Sequence, residues 1–77
     1  MATTIAHYEA KFQQIKTQKL PPQVVIDDLG NTISAADYRR QKADFLALEV
    51  GRIAWSGDVL KRAKTLVSAA QKYAQGQ

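Results

Sequence analysis

Few side chains in this sequence could do chemistry. His7 is the only histidine and stands beside Tyr8; general acid–base work there would need a second titratable group held close to it. Asp27 and Asp28 are adjacent, but they fall in an Asp/Gly/Asn run, where aspartate is favoured for its local backbone hydrogen bonds. There is no cysteine, so thiolate nucleophiles, thiolate metal ligands and disulfides are all excluded. The four glycines are scattered as breaks and form no phosphate-cradling loop, and neither zinc nor calcium spacing is present. These residues imply a non-catalytic protein with no cofactor, no metal and no small-molecule substrate.

The remaining candidates are bases. Arg39, Arg40 and Lys42 fall within four residues, while Lys61, Lys64 and Lys72, with Ser68 between them, share one side of a helix that has no acid after Asp58. Residues three, four or seven apart share a helix face, so such a stripe could follow the phosphates of a nucleic acid. It could equally be a solvated face, and Lys72 in a last turn complements a helix dipole without any partner. The net charge of +4 is concentrated in the last quarter, consistent with nucleic acid or an acidic protein surface. The six bases are therefore the expected nucleic-acid-binding set.

Helices must position these residues. Ile5, Tyr8, Phe12 and Ile15 recur at gaps of three and four, which predicts a helix over residues 3–19, capped by Thr3 or Thr4 and stopped by Pro21 and Pro22. Ser34 stands three residues before Asp37, a variant of the capping box, and predicts a second helix from Ala35 to about Ser56. Its broad apolar face holds Ala35, Tyr38, Phe45, Leu46, Val50 and Ile53. Leu48 and Trp55, seven residues apart, fall on the far side: another helix covers them, or they form a contact surface for a partner or a second copy of the chain. After the break at Ser56 and Gly57, Asp58 caps a third helix over 59–74, with Leu60, Ala63, Val67, Ala70 and Ala74 facing inward.

Residues 22–33 are ambiguous. Val24, Val25 and Ile26, then Asp27 to Asn31, then Thr32 and Ile33 could form a short β-hairpin or extended loop, or a short helix begun at Pro22 and closed at Gly30; the β-branched run favours the hairpin or loop. The expected fold is mainly α: helix 1 packed across an antiparallel hairpin of helices 2 and 3, in one domain spanning 1–77 with a frayed tail at 75–77. A chain of 77 residues buries only roughly 60% of its unfolded surface, so it holds one core, and self-association or a partner is a natural supplement. The first twenty residues contain charged side chains without a continuous apolar run, which argues against a signal peptide or membrane span and for a cytoplasmic protein.

Two resemblances bear on function. The run Val25 to Arg40, with Leu29, Gly30 and Asn31 followed by Ser34 and a helix, resembles a helix-turn-helix, departing from it at Ile26, Asn31 and Ala36. Asp37-Tyr38-Arg39-Arg40, Lys42-Ala43, Leu48-Glu49 and Gly57-Asp58-Val59 before an alanine-rich helix resemble the region that follows the DNA-binding domain in small terminase subunits, the phage DNA-packaging recognition proteins. The second resemblance covers about half the chain and implies a phage or prophage accessory protein, oligomerising through helices and touching DNA or a nucleoprotein assembly. The alternative is a protein–protein assembly module, a virion component or an inhibitor of a host protein, that uses the Leu48/Trp55 surface.

Overall fold

A computed structural model describes residues 4–76. Five elements follow in order: α1 (Ile5–Thr17), β1 (Gln23–Val25), β2 (Thr32–Ser34), α2 (Ala35–Arg52) and α3 (Asp58–Ala74). The mainly helical, three-helix arrangement with a small antiparallel hairpin is the one the sequence predicts. No helix among the described residues is long and apolar enough to cross a membrane.

Local chemistry accounts for the element ends. Thr4 caps α1 by accepting from the amide of His7 at 3.4 Å; Thr3, the other candidate cap, lies outside the described residues. The helix ends two residues short of the expected 19, because Gln18 already takes an extended ψ of 133° ahead of the two prolines. Residues 22–33 resolve in favour of the hairpin. Gln23 pairs with Ser34, Val24 with Ile33 and Val25 with Thr32, which turns Val24 and Ile33 to the half-buried side. A strand at Gln23–Val25 removes the first helix that a helix-turn-helix would need, so that resemblance fails on backbone geometry.

Ser34 closes the hairpin and caps the next element in one residue, accepting from the amide of Asp37 at 3.1 Å. α2 stops at Arg52, short of the expected Ser56, and Ile53 is extended. Trp55 therefore belongs to the connection between α2 and α3, and it does not share a helix face with Leu48. At the far end, Gln75 donates to the Gln71 carbonyl at 3.1 Å and Gly76 to that of Tyr73 at 3.0 Å, so both are hydrogen-bonded to the last turn of α3; Gln77, the end of the expected tail at 75–77, lies outside the described residues.

The core is made of Ile5, Tyr8 and Phe12 from α1, Ala43, Leu46, Ala47 and Val50 from α2, and Ala63, Leu66 and Ala70 from α3. Alanines at both sides of the α2–α3 contact let these helices approach closely, and α1 lays its aromatic stripe across them. Tyr73 meets Phe12 edge-on with ring centroids 5.9 Å apart, tying α1 to the end of α3. Two expected inward residues face out: Phe45 is 59% exposed and Leu60 37%. Ala43 and Ala47 shift the buried stripe of α2 around the helix, and Phe45 lies off it; on α3, Leu66 occupies the inward position in place of Leu60. The exposure of Phe45 and Leu48 shows that, among the described residues, no other element covers the back of α2.

Candidate functional site

The six candidate bases do not converge on one face. Arg39 projects from the buried side of α2 and donates from Nη2 to the carbonyl of Gln18 at 2.8 Å, the residue that ends α1. Its Nε is turned inward with no protein acceptor. Arg40 is 3.5 Å from Asp37 and packs its guanidinium beside Gly76, where a Cβ would come within 3.5 Å of it. Two adjacent arginines at the start of α2 thus serve the C-terminal ends of the other two helices, where exposed carbonyls carry partial negative charge. Lys42 lies with its ammonium 5.3 Å from the ring centroid of Tyr38.

Lys61, Lys64 and Lys72 are exposed on α3, away from its buried stripe of Ala63, Leu66 and Ala70. None of the three makes an ion pair among the described residues. The remaining base of α3, Arg62, grips Glu9 of α1 through both carboxylate oxygens, with Nε 3.3 Å from Oε2. That hydrogen bond, then the carboxylate charge, pushes the Arg62 guanidinium pKa above its ordinary value. A groove of about 860 Å³ runs between α1 and α3 over Phe12, Leu66 and Ala69, and the Glu9–Arg62 pair spans its side. The pairing was not visible in one sequence, because its members are 53 residues apart with no periodic relation.

The two candidate contact residues part company. Trp55 is half-buried against the core: its Nε1 donates to the Val50 carbonyl at 2.9 Å, and its ring meets Tyr8 edge-on at 6.2 Å. Tyr8 in turn donates from its hydroxyl to Glu49 Oε1 at 3.3 Å. Burial, and secondarily the Glu49 carboxylate, raises the Tyr8 phenol above its usual pKa. Leu48 remains 57% exposed, one turn from Phe45. Sequence reading missed this second exposed residue because Phe45 was assigned to the core.

The hairpin adds to the uncovered apolar surface. Val25 and Ile26 are exposed, and Leu29 at the tip is 88% exposed. The turn that carries them is well determined: Asp27 Oδ1 accepts from the amides of Leu29 and Asn31, both at 3.0 Å, and Oδ2 from the Asn31 side chain at 2.6 Å. His7 is exposed and stacked edge-on with Tyr8 at 5.4 Å, and among the described residues no group of three His, Cys, Asp or Glu is placed to hold a metal ion. The fold and these surfaces define a small three-helix module with a β-hairpin arm. No protein-family model, curated protein or solved structure matches the chain.

Proposed function

We propose that this chain is a non-catalytic assembly module that docks onto a protein partner through apolar side chains its own fold leaves uncovered. The observation that carries the reading is the exposure of Phe45 and Leu48 on the back of α2, together with Val25, Ile26 and Leu29 on the hairpin arm. Scattered surface leucines are ordinary, but five large apolar side chains gathered on two small features of one short chain are a costly surface in water unless something covers it. The original Leu48/Trp55 surface is thereby redrawn: Trp55 holds the fold, and Leu48 acts with Phe45. Following the resemblance to small terminase subunits, the assembly would be a phage packaging or virion complex, and the chain would reside in the cytoplasm or in the particle.

Affinity purification from the native host, with and without nuclease, tests this. The wild-type chain should retain its partner after nuclease treatment, and Leu48→Glu and Leu29→Glu, both at positions more than half exposed in the monomer, should lose it while keeping full helicity. Retention of the same partner by both variants ends the reading.

A second reading rests on a separate observation, the lysines of α3 that make no ion pair among the described residues. Nucleic acid or a nucleoprotein would bind along Lys61, Lys64 and Lys72, with Arg39 and Arg40 withdrawn to structural contacts and Lys42 on a different helix. Three phosphate contacts give a slope of log K against log salt of about −2.7 on duplex DNA, far shallower than that of a dedicated DNA-binding surface. Binding no tighter than about millimolar at low salt on duplex and single-stranded DNA and RNA would exclude it.

A further inference from the structure

α2 has two faces. Ala43, Leu46, Ala47 and Val50 are buried. Gln41, Phe45, Leu48 and Arg52 follow one another at gaps of four, three and four, and at 3.6 residues per turn they fall within about 60° of one another and about 180° from the buried stripe. All four are exposed. This is the spacing of a helix-pairing seam, with its apolar residues at the centre and polar residues at both ends.

Resting on the assembly reading above, we infer that the occupant of this seam is α2 of a second copy of the chain, packed antiparallel about a two-fold axis between Phe45 and Leu48. Such an axis brings Phe45 of each copy against Leu48 of the other, so the apolar centre is self-complementary, as an isologous contact requires. It brings Gln41 against Arg52. On one flank of the seam it brings Lys42 of each copy to Glu49 of the other, two opposite-charge pairs related by symmetry. Lys42 and Glu49 are both exposed, and among the described residues neither is in an ion pair: Glu49 accepts from the neutral Tyr8 hydroxyl and Lys42 lies over the Tyr38 ring, so both charges are left to be neutralised. The parallel alternative is disfavoured by the same residues: it stacks Arg52 on Arg52 and sets Asp44 beside Glu49, like charge against like. The charge pattern of the helix therefore selects both the partner and its direction. The exposure of Phe45 and Leu48 in the monomer leaves this face open to be covered.

The purified chain tests the inference without any host factor. Sedimentation equilibrium over a concentration series should show the mass rise from the 8.5 kDa monomer toward twice that value. Leu48→Glu should abolish the rise. Lys42→Glu and Glu49→Lys should each weaken dimerisation about tenfold, and the double variant Lys42→Glu/Glu49→Lys should recover it to within about threefold; circular dichroism confirms that each variant is folded. Direction is read by single cysteines, which meet no competing thiol in this chain. A mixture of Gln41→Cys and Arg52→Cys proteins should oxidise to the mixed disulfide, since Gln41 and its symmetry mate stand about 16 Å apart along the axis of an antiparallel pair. A chain that stays monomeric to about 1 mM overturns the inference, as does a dimer joined mainly as Gln41→Cys homodisulfides or one indifferent to Leu48→Glu. If the purified chain is monomeric yet loses its host partner on Leu48→Glu, the seam serves a different protein: the inference falls and the assembly reading stands.

Discussion

The indole of Trp55 donates to the carbonyl of Val50 at 2.9 Å, across the point where α2 gives way to the connection. Past Arg52 the backbone is extended, and the Val50 carbonyl accepts from the Ile53 amide at 3.2 Å as the helix ends. Trp55 supplies a second donor to that carbonyl while its ring closes the core over Tyr8. Trp55→Ala should therefore cost about 2–3 kcal/mol, below the full-burial figure for tryptophan because the ring is only half-buried. Against the roughly 5 kcal/mol at the lower end of what small domains have, that is a large share, readable as a fall in the urea midpoint. Trp55→Phe keeps the ring contact and loses the donor, for about 1 kcal/mol. A Trp55→Ala variant as stable as the wild type would mean that the residue is not part of the core.

Arg39 and Arg40 are adjacent in sequence and unequal in structure. Arg39→Ala removes a charged donor from the end of α1 and should cost about 1 kcal/mol, the lower part of the range because the group is partly exposed; in a domain of this size that lowers Tm by about 4–8 °C. Arg40→Ala breaks an exposed pair with Asp37 and should cost no more than about 0.5 kcal/mol. If instead Arg39 served phosphates, Arg39→Ala would leave Tm unchanged and weaken nucleic-acid binding.

These two arginines show where sequence reading ends. The helices were legible because their apolar residues recur at gaps of three and four and their caps, Thr4 and Ser34, are local signals. The hairpin at 22–33 was legible as one of two options, decided by its β-branched run. What Arg39 and Arg62 bind was not legible, because Gln18 and Glu9 lie 21 and 53 residues away, and a lone sequence gives no sign that such positions meet. Phe45 was misplaced for a related reason. A large aromatic side chain on a helix looks like core, although the stripe of α2 that is buried is Ala43, Leu46, Ala47 and Val50, with two alanines where the sequence suggests bulk.

The hairpin turn should respond to acid through Asp27. Its carboxylate is held below the usual range, first by the Asn31 side chain and then by the Asn31 backbone amide, with a smaller contribution from that of Leu29. A depressed folded-state pKa means the charged form is the one the turn binds. Its contribution is complete above the unfolded-state value of about 3.9 and is lost as pH falls below that, through the lower folded value. The amide resonances of Leu29 and Asn31 should hold their positions from pH 7 to about 4 and shift together below it, with Asp27→Asn blunting the transition. A midpoint above about 4 would contradict the hydrogen-bonded turn.

Gly51 and Gly57 predict opposite signs for one substitution. Gly51 lies inside α2 on its exposed side, and a Cβ there would meet nothing within 4 Å. Glycine in a helix interior spends more backbone entropy on folding than alanine, so Gly51→Ala should stabilise the chain by about 0.5–1 kcal/mol. Gly57 opens α3 at φ 64° and ψ −146°, a region essentially reserved for glycine. Space is equally free around it, so the cost of Gly57→Ala is purely torsional, about 1–3 kcal/mol. The turn it makes carries the Leu60 amide to the Gly57 carbonyl at 3.1 Å and sets the direction in which α3 returns along α2. Paired thermal melts would read the two effects as shifts in opposite directions. A Gly57→Ala protein that melts with or above the wild type would mean that the connection can reach α3 through another backbone path, and that Trp55, on the preceding stretch, is free to follow it.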